Sequence, residues 1–268
     1  MQATRGQIRH ARSLLWMVLV GLSVAGCAGR APFVPPAFYD SPEAALRILA
    51  ANFPGGQTVT AAARIEIDHQ DKRYLLRAAV MMKRPDLLRV ESIPLLGPPD
   101  FFLSAANGEL RVFLPMKNAF YRGPDTPDNV SRFFPISMSV ADMVSLLMGI
   151  PPDGTDQATA YRGMREEGLY RMDHYPSGRR TRSLWIEPEA GRLIRFQKFT
   201  DEGTVLYTAE LSEHVRVGDG YLPRKVMIRG ADMSTLTVRQ DDPRHITADP
   251  ESFPLAIPAG TIPILLNP

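Results

Sequence analysis

The residues able to do chemistry are few and do not converge in the sequence. His69, His174, His214 and His245 are scattered, and none stands in a His-Glu pair at helical spacing, so the sequence offers no zinc-protease pattern. Asp241-Asp242 and Glu166-Glu167 are paired acids without a surrounding metal or hydrolytic motif, and read as solvated surface. Serine is plentiful, but no Gly-x-Ser-x-Gly elbow occurs. These absences lead to the expectation that the chain is not an enzyme and uses no metal or cofactor. The one group with a distinctive chemical setting is the single cysteine, Cys27. No disulfide, thiol nucleophile or cysteine metal site can exist beyond it.

Cys27 ends a recognisable N-terminal pattern. Arg5, Arg9 and Arg12 precede the apolar run Leu14 to Leu22, which is too short for a spanning helix of about 20 residues. Residues 1–26 therefore read as a secretory signal. Leu22-Ser23-Val24-Ala25-Gly26-Cys27 resembles the lipobox of bacterial lipoproteins, which implies acylation of Cys27 and a lipid anchor. Ala28 in place of an Asp implies the outer membrane of a diderm cell. Loss of the three arginines would take the formal charge from +2 to −1. Without a net-positive stripe, nucleic acid is not an expected partner.

Residues 27–40 carry Pro32, Pro35 and Pro36 and read as a tether. Residues 41–268 are enough for one substantial core. Ser41-Pro42-Glu43 starts a helix with Leu46, Leu49 and Phe53 on one face, stopped by Pro54-Gly55-Gly56. Alternation then predicts strands over 59–68 and 72–82, the second unusually apolar on both faces because of Leu75, Ala79 and Met81. Residues 83–123 hold four more short runs. Pro94, Pro98 and Pro99 each lack a ladder donor, so Ile93 to Pro99 should project from the sheet with Leu95 and Leu96 at its tip, whereas Asn107-Gly108 marks a tight hairpin.

The period changes near Ser139. Val140, Met143, Val144 and Leu147 form an apolar stripe closed by Gly149 and Pro151-Pro152, with Asp142 as the fourth residue of a capping box and Pro151 to Gln157 as loop. Six further strands follow, over 169–175, 181–187, 192–200, 204–213, 221–229 and 233–240. The Pro-rich tail is expected along the sheet rim. A dozen antiparallel strands with two helices suggest a sheet that curls around an apolar concavity, plugged by helices, filled by side chains or open to a ligand.

Residues 42–148 resemble the periplasmic lipoprotein carrier and outer-membrane lipoprotein receptor superfamily. The resemblance rests on the N-terminal helix, Lys83-Arg84-Pro85-Asp86-Leu87-Leu88-Arg89-Val90, Asn107-Gly108-Glu109-Leu110-Arg111-Val112-Phe113 and Pro94-Leu95-Leu96-Gly97. It implies a mainly β fold, a curved incomplete antiparallel half-barrel covered by a helical lid. In such a fold Arg84 would latch the lid at 139–149, and Leu95 or Leu96 would touch the membrane. Val140, Met143, Val144 and Leu147 would belong to the lid, facing a cavity lined by Leu88, Val90, Leu110 and Val112. Implied partners are acyl chains of lipoproteins or phospholipids, the outer membrane and a soluble periplasmic carrier. The other reading is a noncatalytic structural or interaction lipoprotein with a filled core.

Overall fold

A computed structural model describes residues 39–52, 56–152 and 160–267. Phe53 of the expected first helix, Pro54 and Gly55 of its stop, most of the Pro151 to Gln157 loop, and Cys27 with its signal and all but the last two residues of its tether lie outside the described residues. Helix α1 spans Pro42–Ala51, with Pro42 in its first turn and the Ser41 hydroxyl accepting from the Ala44 N–H at 3.3 Å. It buries Ala45, Leu46 and Leu49. Asn52, at its end, donates to the Ala190 and Gly191 carbonyls at 2.9 and 3.0 Å, pinning the helix to a turn of the second half of the sheet. Gly220 lies so close to the Asn52 carbonyl that a Cβ there would sit 1.7 Å from the oxygen.

The described residues form one 14-stranded sheet. A first meander runs through β1 (Thr58–His69), β2 (Lys72–Lys83), β3 (Leu87–Ser92), β4 (Phe102–Ala106), β5 (Glu109–Leu114) and β6 (Ala119–Pro124). Two helices follow, α2 (Pro127–Ser131) and α3 (Val140–Leu147). A second meander comprises β7 (Tyr161–Glu166), β8 (Leu169–His174), β9 (Arg182–Ile186), β10 (Leu193–Phe199), β11 (Val205–Val217), β12 (Gly220–Gly230) and β13 (Thr235–Ile246). Its last strand pairs antiparallel with β1, joining the two halves, and the tail adds β14 (Pro263–Leu265) parallel to β6. The spatial order β14-β6-β5-β4-β3-β2-β1-β13-β12-β11-β10-β9-β8-β7 leaves β14 and β7 as unjoined edges. The sheet is therefore curved and open, an incomplete barrel.

Alternation determines which face is covered. Val59, Ala63 and Ile65 of β1 and Ala78, Val80 and Met82 of β2 point into one apolar cluster that continues through Leu88, Val90, Leu110 and Val112 to Leu211, Val226 and Val238. Curvature enters at irregular positions. The β1–β13 register shifts between Thr60 and Ala62, beside Asp242, whose φ is 50°, and the bulge lets Pro243 sit in a central strand. The β12–β13 ladder ends at Lys225/Arg239. Just beyond it, the buried Gln240 amide donates to the Pro223 and Leu147 carbonyls, both at 2.8 Å.

Most expected strands occur within a few residues of their predicted bounds, and Asn107 and Gly108 both adopt the positive φ that the hairpin requires. The sequence reading omits β7, β14 and α2. Strand β7 is an edge on which only Tyr161 is fully buried, and Gly163, packed beneath the Tyr170 hydroxyl, interrupts its pattern. The tail also departs from its expected course along the rim. It crosses the face of β3–β5 opposite the core, where Arg89 donates to the Ser252 carbonyl, Arg111 to the Leu255 carbonyl, and Leu255 N–H to Ser104 Oγ. Phe253 is fully buried there with Leu87, Ala106 and Met81. That accounts for the apolar outer face of β2 at Met81.

At the far end of the first meander the Asp125 carboxyl is pushed above its ordinary range, first by burial and then by repulsion from Asp86. A carboxylate whose folded pKa is raised makes stability greatest below its unfolded value, and stability falls as pH rises through the carboxylate range. Asp125→Asn is therefore expected to raise the melting temperature at pH 7 by about 1–3 °C and to lose that advantage below pH about 4. Thermal unfolding at both pH values checks it.

Candidate functional site

The connection between β3 and β4 is tightly built at its neck and open at its tip. Ser92 Oγ donates to the Asp100 carboxylate at 2.7 Å and accepts the N–H groups of Asp100 and Phe101 at 2.9 and 3.0 Å. Ser92 N–H meets the Phe101 carbonyl, and Ile93 N–H the Arg77 carbonyl. The tip has no such partners: Leu95 and Leu96 are 83% and 92% exposed. Three prolines and Gly97, at φ 86°, hold them out of the sheet ladder.

Beside this loop opens a cleft of about 580 Å³. One wall is the β1–β2 hairpin, with Ile67, His69, Tyr74, Leu75 and Leu76, and another is the end of the β5–β6 hairpin, with Leu114, Met116 and Lys117. Residues 131–135 form the third side. Phe134 packs edge-on against Phe101 at 6.3 Å and Phe133 against Tyr121 at 5.5 Å. A second hollow of about 440 Å³ runs beneath Ile93, Pro94 and Leu95 and shares Leu75, Leu76 and Asp100 with the first. The mouth is rimmed by large apolar groups in water: Leu75 is 73% and Met116 85% exposed, and Tyr74 is half-exposed. Folded soluble surfaces rarely group such side chains without a partner. A lining that is mostly apolar, with a few polar groups at its edge, suits the hydrocarbon part of an amphiphile.

The expected lid is placed differently. Ser139 caps α3 as anticipated, accepting the Asp142 N–H at 3.1 Å. However, Val140, Met143, Val144 and Leu147 are buried together with Asp142, Ser145 and Leu146, so the helix is covered on all sides. These four, with Leu88, Val90, Leu110 and Val112, belong to one packed apolar cluster, and none of the eight lines either cleft. Among the described residues, the helix is therefore packed into the apolar cluster as a plug and does not stand over either cleft. Asp142 does more than cap: its carboxylate accepts from Lys198 Nζ at 2.8 Å and from the Tyr207 hydroxyl at 2.7 Å. The other end of α3 is held through the Leu147 carbonyl by Gln240.

Arg84, expected as the latch, is not brought to the helix in the structure. It is half-buried in the β2–β3 turn, at the end of the strands away from the cleft, and among the described residues no hydrogen bond joins it to residues 139–149. Gln240, from the middle of the sheet, holds the helix-end carbonyl instead. The signal that could have found Gln240 is an amide at an inward-facing position of a β-strand.

Several other titratable groups make local contacts. His69 Nδ1 lies 2.7 Å from Ser234 Oγ, and His214 hydrogen-bonds the Leu193 carbonyl with its pKa lowered by burial and by Arg192. Glu166 accepts from Arg171 and from the Trp185 indole, and Asp241 pairs with Arg64 and Arg224. Among the described residues no group of three or more His, Cys, Asp or Glu side chains could hold a metal ion. No helix among them is long and apolar enough to cross a membrane.

No protein-family model and no curated protein sequence matches this chain. Solved structures match it over most of its length. A LolA superfamily protein from Nitrosomonas europaea is similar with a TM-score of 0.53 and 13% identity, covering 81% of this chain and 99% of its own. An outer membrane lipoprotein-sorting protein domain from Vibrio parahaemolyticus gives a TM-score of 0.55 at 13% identity, over 80% and 95% of the two chains. A DUF1329 family protein from Desulfovibrio piger gives 0.56 at 11% identity, again over 80% and 95%. At these identities the likeness is one of fold, and it agrees with the open, curved sheet.

Proposed function

Starting from a LolA-like fold, we propose that this chain is a cell-envelope lipoprotein, anchored to the outer membrane through an acylated Cys27, that takes acyl chains of lipoproteins or lipids into its cleft and assists their transfer into the bilayer. The observation carrying this reading is that the apolar cleft adjoins, through shared Leu75, Leu76 and Asp100, the hollow beneath the loop that exposes Leu95 and Leu96. Burial is worth about 0.8 kcal/mol per methylene, so a long acyl chain carries roughly 10 kcal/mol of transfer free energy. Release into water is then too slow to be useful, and exchange requires the cleft mouth to be pressed against a membrane. Exposed leucines at the rim and a lipid anchor on the same chain would keep it there. No nucleophile is needed. A soluble periplasmic carrier could deliver cargo to the same mouth.

Mass spectrometry of an extract from the purified full chain tests the proposal, with stoichiometric lipid or lipopeptide as the expected result. Leu76→Trp, which would fill the space shared by both hollows, is expected to reduce the bound lipid by more than half at little cost in stability. The packed volume beneath α3 favours the second reading, a noncatalytic interaction lipoprotein. A chain that purifies without lipid, and whose transfer activity ignores Leu76→Trp, would establish that alternative.

A further inference from the structure

The apolar walls of the cleft do not explain its charge. Lys117 closes the 3-10 turn Pro115–Lys117, after which Asn118, at φ 45°, reverses the chain into β6. Arg132 follows the last turn of α2 as its C-cap. Both line the cleft, both are exposed, and among the described residues neither forms an ion pair. Several arginines of the sheet surface are paired with carboxylates, Arg64 with Asp241, Arg89 with Glu91, Arg171 with Glu166 and Arg239 with Glu213. Arg77, Arg229 and Arg244 stand on the strands without an ion pair among the described residues, but none of them lines the cleft that holds Lys117 and Arg132. The carboxylate that does line the cleft, Asp100, is engaged by the Ser92 hydroxyl, and His69 is engaged by Ser234. The cleft thus combines an apolar interior with two cations at its lip and no carboxylate paired to them.

We infer that the cleft selects amphiphiles with an anionic headgroup, the acyl chain lying against Leu76, Phe101 and Leu114 while Lys117 and Arg132 bind a lipid phosphate or carboxylate at the mouth. This rests on the reading of the cleft as an acyl-chain site and adds the headgroup class. The diacylglyceryl-cysteine end of a lipoprotein has no anionic group to meet these cations, so an anionic lipid is the better match. Charge-assisted hydrogen bonds at the edge of an apolar site are stronger than neutral ones, and the guanidinium can engage two oxygens at once.

The test uses the full chain in non-ionic detergent with a fluorophore-tagged medium-chain fatty acid and its methyl ester. The acid is expected to bind about tenfold more tightly than the ester, with an advantage that shrinks as salt is added. In Lys117→Ser/Arg132→Ser the acid should fall to the ester's affinity while the ester is unaffected, and Lys117→Arg/Arg132→Lys should retain the preference. Inorganic phosphate at buffer concentration should not displace the acid. Equal binding of acid and ester by the unaltered chain, equal losses in the double variant, or displacement by phosphate alone would overturn the headgroup assignment and leave acyl-chain binding standing. Binding of neither probe would overturn both. Thermal unfolding of the double variant controls for folding, which two exposed side chains do not support.

Discussion

Replacement of both Leu95 and Leu96 by glutamate is expected to slow lipid transfer to vesicles by well over tenfold while leaving the melting temperature within about 1 °C of the original. The two leucines are nearly free of contacts with the body of the protein, so their loss removes no core packing. Their contribution would lie in the encounter with a membrane. Each fully buried leucine is worth about 1.5–3 kcal/mol, and two together would contribute about 3–6 kcal/mol toward holding the mouth against lipid. Glutamate removes that gain and adds the cost of bringing charge to an apolar layer. Single substitutions divide the effect between the two leucines and identify which makes the deeper contact. The variant should still bind a soluble amphiphile, because the loop supplies one side of the smaller hollow only. Vesicle transfer measured beside binding in detergent separates the two steps; transfer unchanged in the double variant would remove the loop from the mechanism.

That the loop projects is legible in the sequence because proline chemistry is local. Pro94, Pro98 and Pro99 cannot donate to a ladder wherever the chain goes, so Leu95 and Leu96 had to leave the sheet. Twelve of the fourteen strands among the described residues, and the Asn107-Gly108 hairpin, were legible from local alternation and turn residues. The other lips of the cleft were not. Leu75 reads as part of a strand covered on both faces, and the alternation cannot tell Met81, which the tail covers through Phe253, from Leu75, which nothing among the described residues covers. Met116, Lys117 and Arg132 come together only because the β5–β6 turn and the end of α2 meet at one end of the curved sheet. Arg84 lies away from the helix for a similar reason. Its local motif is present, but the sheet puts it at the opposite end of β2 from Tyr74 and Leu75, and an amide on the distant β13 takes the helix-end carbonyl.

Asp142 is the position where local and tertiary readings diverge most, and Asp142→Ala is expected to cost about 2–4 kcal/mol, lowering the melting temperature by about 5–12 °C. As a capping-box residue it would be worth about 1 kcal/mol. In the fold it is only 2% exposed and ties α3 to β10 and β11 through Lys198 and the Tyr207 hydroxyl. Alanine would take one acceptor away from a buried phenol and one counter-charge from a partly buried ammonium group. Asp142→Asn, which keeps an oxygen for Tyr207 and loses the charge, should recover part of the loss. A double-mutant cycle with Lys198→Met measures the ion pair itself. The same variant separates a plug from a lid. If α3 opened to admit lipid, loosening its N-terminal tie would speed uptake with a small change in stability. A helix buried on every side predicts the opposite: a large loss of stability, with uptake through the Tyr74, Leu75 and Met116 mouth unchanged for the fraction that remains folded.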